Sequence, residues 1–169
     1  TCIMFNGVDS LFEVVQLLYN EYPEALMISD DYGRLPIHHL CDNIDLDDST
    51  SLDILHLLNK DDAAALLMIS DDYGLFPIHY AVINKSANFC KELLAMSPET
   101  VRSETFRGNL PIHTACHSGR VDTVQYLLEV YPESAHIANF YGYLPIHGVI
   151  LNGSEMVDRH TAALELLLE

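Results

Sequence analysis

The sequence predicts an all-α protein, a helical solenoid of about four full repeats plus a partial N-terminal repeat, with short β-turn fingers. Two observations carry this prediction: one six-residue motif recurs four times, and apolar residues at helical spacing follow each copy. The copies begin at Gly33, Gly74, Gly108 and Gly142, and their separations are 41, 34 and 34 residues. Such a period is typical of a repeat array, in which one unit is too small to bury its own apolar face.

The recurring motif places a glycine, a proline and a histidine at fixed positions. Its copies are Gly33-Arg34-Leu35-Pro36-Ile37-His38, Gly74-Leu75-Phe76-Pro77-Ile78-His79, Gly108-Asn109-Leu110-Pro111-Ile112-His113 and Gly142-Tyr143-Leu144-Pro145-Ile146-His147. Glycine permits the positive φ of a tight turn, and proline fits the first helical position, where its missing N–H costs nothing. The predicted structural residues are therefore Gly33, Pro36, His38, Gly74, Pro77, His79, Gly108, Pro111, His113, Gly142, Pro145 and His147.

Helices are predicted from the apolar spacing and from the residues that interrupt it. A first helix is expected over residues 8–22, with Ser10 as its cap and Pro23 at its end. Further helices are expected from the first motif to Asp42 and over 52–59, 77–83, 87–95, 111–117 and 121–130. A fifth unit begins at Pro145, breaks at Gly153 and closes with an apolar helix over 164–168. No extended sheet is expected beyond small hairpins at the turns.

A polar insertion over residues 42–53 accounts for the longer spacing between the first two motifs. Asp45, Asp47 and Ser49 have the spacing with which an EF-hand calcium loop begins. However, no glycine stands at the sixth position of that loop, and His56 replaces the glutamate of the twelfth. A solvated loop, which could touch a partner, is therefore favoured over a calcium site.

The chain is strongly acidic, with a formal net charge of −17 over 169 residues. This charge argues against a nucleic-acid backbone or an anionic membrane as partner, and it permits a basic protein partner. No apolar run approaches the roughly 20 residues that span a bilayer, and no signal peptide is evident. Because Thr1 already lies inside a repeat unit, residues 1–169 are expected to be a single repeat array within a longer polypeptide.

The four cysteines are isolated from one another in the sequence. They are Cys2, Cys41, Cys90 and Cys116; they form no C-x-x-C pair, and Cys41 and Cys116 both lie three residues after a motif histidine. Small buried thiols are the favoured interpretation, and they point to a reducing compartment. An intracellular, cytoplasmic location is therefore expected, with the nucleus and the organelles left open.

The motif resembles the ankyrin repeat, a unit of about 33 residues with a β-turn, two antiparallel helices and the signature Thr-Pro-Leu-His-x-Ala. The matching segments are residues 35–38, 76–81, 110–115 and 144–147, and the match continues over 116–128. The family's turn aspartate is matched by Asp30 and Asp71, nearly matched by Asn139 and replaced by Thr105. In two departures, Leu or Phe replaces the family's threonine, and Tyr-Pro-Glu or Ser-Pro-Glu replaces Gly-Ala after most second helices.

The resemblance implies an ankyrin-type solenoid without enzymatic activity, in which the motif histidines hydrogen-bond across the turns and fix the register. The sequence itself shows no nucleophile elbow, phosphate loop or paired carboxylates. Stacked helices lie roughly 8–10 Å apart, so equivalent histidines of successive repeats cannot share a zinc ion. No catalytic residue, cofactor, metal site or small-molecule substrate is therefore expected.

The resemblance also implies a partner-binding surface along the turn tips and the exposed face of each first helix. Carried over position by position, this surface comprises Tyr32, Arg34, His39, Tyr73, Leu75, Tyr80, Arg107, Asn109, Thr114, His117, Tyr141 and Tyr143. Tyrosine and arginine are enriched in interfaces, although Tyr32, Tyr73 and Tyr141 could instead pack against neighbouring turns. The predicted function is a non-catalytic protein–protein interaction module for a basic or amphipathic partner. The alternative is a structural subunit or spacer within a larger assembly.

Overall fold

The chain folds into eight α-helices over the residues that the computed structural model describes, which are 9–58, 63–151 and 166–167. The helices are α1 (Asp9–Glu21), α2 (Pro36–Asp42), α3 (Asp48–Leu58), α4 (Pro77–Asn84), α5 (Ala87–Met96), α6 (Pro111–Ser118), α7 (Val121–Val130) and α8 (Pro145–Leu151). No β-strand occurs within these described ranges. The predicted all-α repeat solenoid is therefore confirmed.

The helices form two layers, because each helix packs against its equivalent in the next repeat. The first helices, α2, α4, α6 and α8, contact one another in chain order, and so do the second helices, α1, α3, α5 and α7. The core lies where the two layers meet, and Val82, Phe89, Cys90 and Leu93 are fully buried there. Each repeat is thus shielded by the repeats beside it, as in other linear arrays.

The motif proline starts each first helix, as predicted. The residue before Pro36, Pro77 or Pro111 is extended, with ψ between 160° and 163°. Proline favours this conformation in the residue that precedes it. In all four repeats the backbone N–H of that preceding residue donates to Nδ1 of the motif histidine at 2.9–3.2 Å. The imidazole therefore caps its own helix.

Helix α3 begins at Asp48, four residues before the predicted start, so part of the polar insertion is helical rather than a solvated loop. The cause is Asp47, whose Oδ1 accepts the N–H of Thr50 at 2.9 Å and whose Oδ2 accepts the Thr50 hydroxyl at 2.7 Å. Such a carboxylate satisfies N–H groups that a helix start leaves unpaired. Ser51 on the same helix is buried and accepts a hydrogen bond from Lys85 Nζ at 2.8 Å.

Four short 3₁₀ helices precede the turns, and the sequence prediction missed them. They are η1 (Pro23–Met27), η2 (Ala63–Met68), η3 (Pro98–Arg102) and η4 (Pro132–His136). Three of them begin at the proline of the Tyr-Pro-Glu or Ser-Pro-Glu departures, where proline presets the φ of a helical first residue. In η3 and η4 the hydroxyls of Thr100 and Ser134 also donate to the carbonyls of Ser97 and Tyr131. The departures therefore mark a helical connection that leads each second helix into the next turn.

The two ends of the array differ in part from the prediction. Ser10 lies inside α1, not at its cap, so that capping assignment is wrong. Gly153 and most of the predicted closing helix lie outside the described residues, although Leu166 and Leu167 are helical. No helix in the described part of the chain is long and apolar enough to cross a membrane.

Three of the four cysteines are free thiols buried in the helix layers, as expected; Cys2 lies outside the described residues. Burial raises the pKa of Cys90 and of Cys116 to about 12, and it raises the pKa of Cys41 as well. A thiol with so high a pKa stays protonated near neutral pH and behaves as a small apolar side chain.

Candidate functional site

The four turns share one hydrogen-bonding pattern, and this pattern shapes the surface above the first helices. The turns are residues 30–34, 71–75, 105–109 and 139–143, called here the first to fourth turns. A side-chain oxygen at the start of each turn accepts the N–H groups two and four residues later. Asp71 makes these bonds at 2.9 and 2.8 Å, whereas the Thr105 hydroxyl makes them at 3.3 and 3.2 Å. Thr105 therefore preserves the geometry of the turn, but its side chain accepts longer and weaker hydrogen bonds.

Successive turns stack on one another through the motif glycines. Gly33, Gly74 and Gly108 have φ between 72° and 76°, which is favourable only for glycine. A Cβ atom at Gly74 or Gly108 would lie 2.6 Å from Phe106 or Phe140, respectively. The N–H of Phe140 also donates to the carbonyl of Arg107 at 3.0 Å. The turn tips are thereby held in one row.

The buried motif histidines link each first helix to the next turn. Nε2 of His79 lies 3.1 Å from the Asn109 carbonyl oxygen, and Nε2 of His113 lies 3.2 Å from that of Tyr143. Since Nδ1 accepts a backbone N–H in both rings, Nε2 carries the proton and donates it to the carbonyl. Burial favours this neutral form: it lowers the pKa of His79 to about 4 and also lowers the pKa of His113. The expected role in fixing the register is thus realised at these two positions.

His38 is buried in the equivalent place, but its Nε2 atom has no hydrogen-bond partner among the described residues. Burial lowers the pKa of this histidine too, so the ring is neutral near pH 7. The ring also makes an edge-on contact with the Tyr80 ring at 6.1 Å between centroids.

A groove of about 910 Å³ lies between the second, third and fourth turns and helices α6 and α8. Eight of the twelve predicted binding residues line it, namely Tyr73, Leu75, Arg107, Asn109, Thr114, His117, Tyr141 and Tyr143. Tyr73 and Tyr141 are 59% and 68% exposed, so a partner has access to their rings. The structure therefore brings these eight side chains to one concave surface, and their role in binding stays a prediction.

The other four predicted residues lie outside the groove, in the first two repeats, and each has a partner within the protein. Arg34 Nε and His39 Nε2 both reach Asp30 Oδ2, at 3.1 and 3.0 Å, and the Arg34 guanidinium lies 5.5 Å from the centre of the Tyr32 ring. The Tyr80 hydroxyl donates to Asp71 Oδ2 at 2.6 Å. Four of the charged and aromatic groups in this half of the surface are thus already paired.

Asp30 organises this paired cluster as an ionised carboxylate. Desolvation acts to raise its pKa, but hydrogen bonds from the backbone N–H groups of Arg34 and Tyr32, together with His39, lower it to about 2. The neighbouring Tyr32 ring stacks on Tyr73 with 6.4 Å between centroids, while both rings stay largely exposed. These two tyrosines therefore pack against neighbouring turns, which is one of the two alternatives from the sequence, and their role in binding stays a prediction.

The predicted set omitted several residues that shape the groove. Phe106 lines it at the third turn with 68% of its surface exposed, and Phe140, at the same position of the fourth turn, is 72% exposed. The resemblance to the repeat family already placed Phe106 and Phe140 at the turn tips, although neither was included in the predicted binding set. Gly148 forms part of the lining, where a Cβ would lie 3.4 Å from backbone atoms of His113 and His117. Its small size lets α8 approach α6.

Comparison with known proteins identifies one family. The family model for ankyrin repeats, which describes three copies of the repeat, matches residues 48–137 and residues 78–169. The two matches together cover residues 48–169, which is more than half of the chain. No curated protein matches the sequence.

Proposed function

Because the chain belongs to the ankyrin repeat family, we propose that it binds a protein or peptide partner in the groove between its turn tips and first helices. Ankyrin repeats are generally protein–protein interaction modules. One observation supports the assignment to this surface: the groove collects eight of the twelve side chains that sequence reasoning had placed in the binding surface. We further propose that the module is non-catalytic and that it works inside the cell.

The groove suits an amphipathic segment of a partner protein. Its rim carries the exposed rings of Tyr73, Phe106 and Tyr141, and aromatic side chains of this kind dominate binding energy in protein interfaces. Backbone and side-chain polar groups of Asn109 and Thr114 lie among them and can orient the segment. The net charge of −17 repels nucleic acid and favours a partner that is not itself strongly acidic overall.

The test is affinity capture from a cell extract with three immobilised forms of the chain: the unmodified protein, a groove variant and a surface control. The groove variant combines Tyr73→Ala, Arg107→Ala and Tyr141→Ala. The control combines Lys91→Ala, Gln125→Ala and Glu129→Ala, which are exposed positions on the second helices. We expect a protein that is retained by the unmodified chain and the control but lost with the groove variant. Equal capture by all three forms, with unchanged helicity by circular dichroism, would reject this binding surface.

A second candidate, a structural subunit of a larger assembly, is favoured by the apolar surface of α1. Val14, Leu17 and Leu18 are all more than half exposed on this helix. Contiguous apolar surface of this kind is typical of permanent contacts. Substitution of these three residues with Ser or Gln separates the two candidates. An interaction module would keep its groove partner, whereas a structural subunit would fail to enter its assembly.

A further inference from the structure

Arg107 is a cation at the tip of the third turn. It is exposed and lines the groove, and its backbone N–H and carbonyl are used within the turns. Its guanidinium makes no ion pair, hydrogen bond or ring contact in the described part of the chain. The positive charge is therefore available to a molecule that enters the groove.

The other described cations are engaged within the protein. Arg34 pairs with Asp30, and Lys85 is buried against the Asn43 carbonyl and Ser51. Lys91 and Arg102 lie over the rings of Tyr126 and Tyr131, and Arg120 donates to the Lys85 carbonyl. Carboxylates outnumber Lys and Arg by 25 to 8 in this chain, yet none of the described carboxylates lies within 4 Å of Arg107.

The groove offers Arg107 only one acidic neighbour, and that neighbour faces another turn. Asp72 is the one acid among the described lining residues. Its Oδ1 covers Gly33 of the first turn, where an added Cβ would lie 2.6 Å away, and its N–H donates to the Tyr32 carbonyl at 3.0 Å. Stacking of the first two turns thus holds the Asp72 carboxylate over the first turn, and no carboxylate among the described residues neutralises the Arg107 guanidinium.

We infer that the segment bound in this groove carries an Asp or Glu side chain that pairs with Arg107, next to an apolar side chain that packs on the exposed rings. This inference rests on the proposed function and specifies its partner. The fork of an arginine guanidinium matches a carboxylate with two parallel hydrogen bonds. Phe106, adjacent in sequence, and Tyr141 in the fourth turn present the apolar surface. The rest of the segment is neutral or basic, because the −17 charge of the chain disfavours further carboxylates.

The experiment selects short random peptides, displayed through their C-termini so that carboxylates come only from side chains, on the 169-residue chain. Selected peptides are then synthesised with amidated C-termini, and their affinities are measured for the unmodified chain, Arg107→Glu and Lys91→Glu. Lys91→Glu makes the same change in charge at an exposed position outside the groove. Each peptide is also made with its acidic residue changed to Gln or to Lys.

The selected peptides are expected to share one Asp or Glu beside an apolar residue. Arg107→Glu should weaken their binding about 10- to 100-fold, as loss of a charge-assisted hydrogen bond does, and Lys91→Glu should leave it unchanged. The Lys-containing peptide should regain affinity for Arg107→Glu. Selection of Lys- or Arg-rich peptides without a shared carboxylate would overturn the inference, and so would equal effects of the two charge reversals.

A double variant separates failure of this inference from failure of the proposed function. Tyr73→Ala combined with Tyr141→Ala removes two aromatic rings of the groove and leaves Arg107 in place. If this change weakens the selected peptides while Arg107→Glu does not, the groove binds peptides but not through a carboxylate. If neither change matters, or no peptide is selected, both the groove assignment and the carboxylate are refuted.

Discussion

Nε2 of His79 lies 3.1 Å from the carbonyl oxygen of Asn109, 30 residues further along the chain. Nδ1 of the same ring accepts the N–H of Phe76 at 3.2 Å, so one imidazole both caps its own helix and holds the next turn. Only the neutral ring can accept at one nitrogen and donate at the other. The attachment of the third and fourth turns to the first helices beside them therefore depends on neutral His79 and His113.

The first prediction is that the array loses stability as the pH falls from about 6.5 towards 4. Burial lowers the pKa of His79 from 6.5 to about 4, although the hydrogen bond that the ring donates to the Asn109 carbonyl and the nearby Asp71 carboxylate act to raise it. Between these two pKa values the unfolded chain binds a proton that the folded chain does not. The free energy of unfolding therefore decreases as the pH is lowered. The loss from this one residue should be about 2 kcal/mol between pH 7 and pH 5. Urea unfolding followed by circular dichroism measures it.

His79→Gln provides the control for that measurement. The variant should be less stable at pH 7, because the contacts of the ring are lost, but its stability should depend less on pH between 7 and 5. The pKa of Asp30 is lowered to about 2, so the stability that this carboxylate adds is lost only as the pH falls below its ordinary pKa of 3.8. Asp30 therefore does not contribute to the pH dependence measured between pH 7 and pH 5. An unchanged pH dependence in His79→Gln would contradict the assignment to this histidine.

The second prediction concerns the stacking of the turns and compares two alanine substitutions. Gly108→Ala introduces a side chain at a φ of 72° and places its Cβ 2.6 Å from the Phe140 ring. Gly142→Ala has the same kind of backbone, with a φ of 78°, but no described atom lies within 4 Å of its Cβ. Backbone strain alone costs about 1–3 kcal/mol, so Gly142→Ala should lose that amount and Gly108→Ala distinctly more. Equal losses of stability in chemical denaturation would show that the contact between Phe140 and the third turn does not limit the residue at position 108.

Proline and glycine residues at the helix boundaries made most helices predictable from the sequence. Helices α4 to α7 lie within one residue of their predicted bounds, because Pro77 and Pro111 fix two starts and Gly119 separates the last pair. The start of α3 was missed because it depends on the Asp47 cap and on Lys85, a partner 34 residues beyond Ser51. Contacts between residues so far apart leave no periodic signal in the sequence.

The groove was predictable to a similar extent, and for the same reason. Repeat position alone placed Tyr73 and Tyr141 at the turn tips, where they line the groove. Repeat position could not show that the Tyr80 hydroxyl donates a hydrogen bond to Asp71, because that bond depends on the distance between a helix and the preceding turn. Nor could it show that Arg107 pairs with none of the carboxylates in the described part of the chain.

The third prediction is that hydrogen bonds from Lys85 stabilise the polar insertion against the second repeat. Its ammonium group is buried, donates to the Asn43 carbonyl at 2.6 Å and to the Ser51 hydroxyl at 2.8 Å, and has its pKa lowered by desolvation. Lys85→Met preserves most of the volume but leaves the buried Ser51 hydroxyl and the Asn43 carbonyl without this donor. This should cost about 1–3 kcal/mol of stability and speed hydrogen exchange near residues 43–51. Lys91→Met is the exposed control; it loses only the contact with the Tyr126 ring, so it should lower stability less and leave exchange near residues 43–51 unchanged. Equal effects of the two variants on exchange would contradict the role of Lys85.

The last prediction is a gain in stability at the third turn. The Thr105 hydroxyl accepts the N–H groups of Arg107 and Asn109 at 3.3 and 3.2 Å, whereas the Asn139 amide oxygen makes the equivalent bonds of the fourth turn at 3.0 Å. Asparagine also favours this kind of turn, because its side chain readily bonds the backbone two residues on. Thr105→Asn should therefore raise the free energy of unfolding by about 0.5–1 kcal/mol, measured by urea denaturation. Asn139→Thr, the reverse exchange in the fourth turn, should lower it, and a loss of stability in both variants would show that the buried site at Thr105 is shaped for threonine rather than for the stronger acceptor.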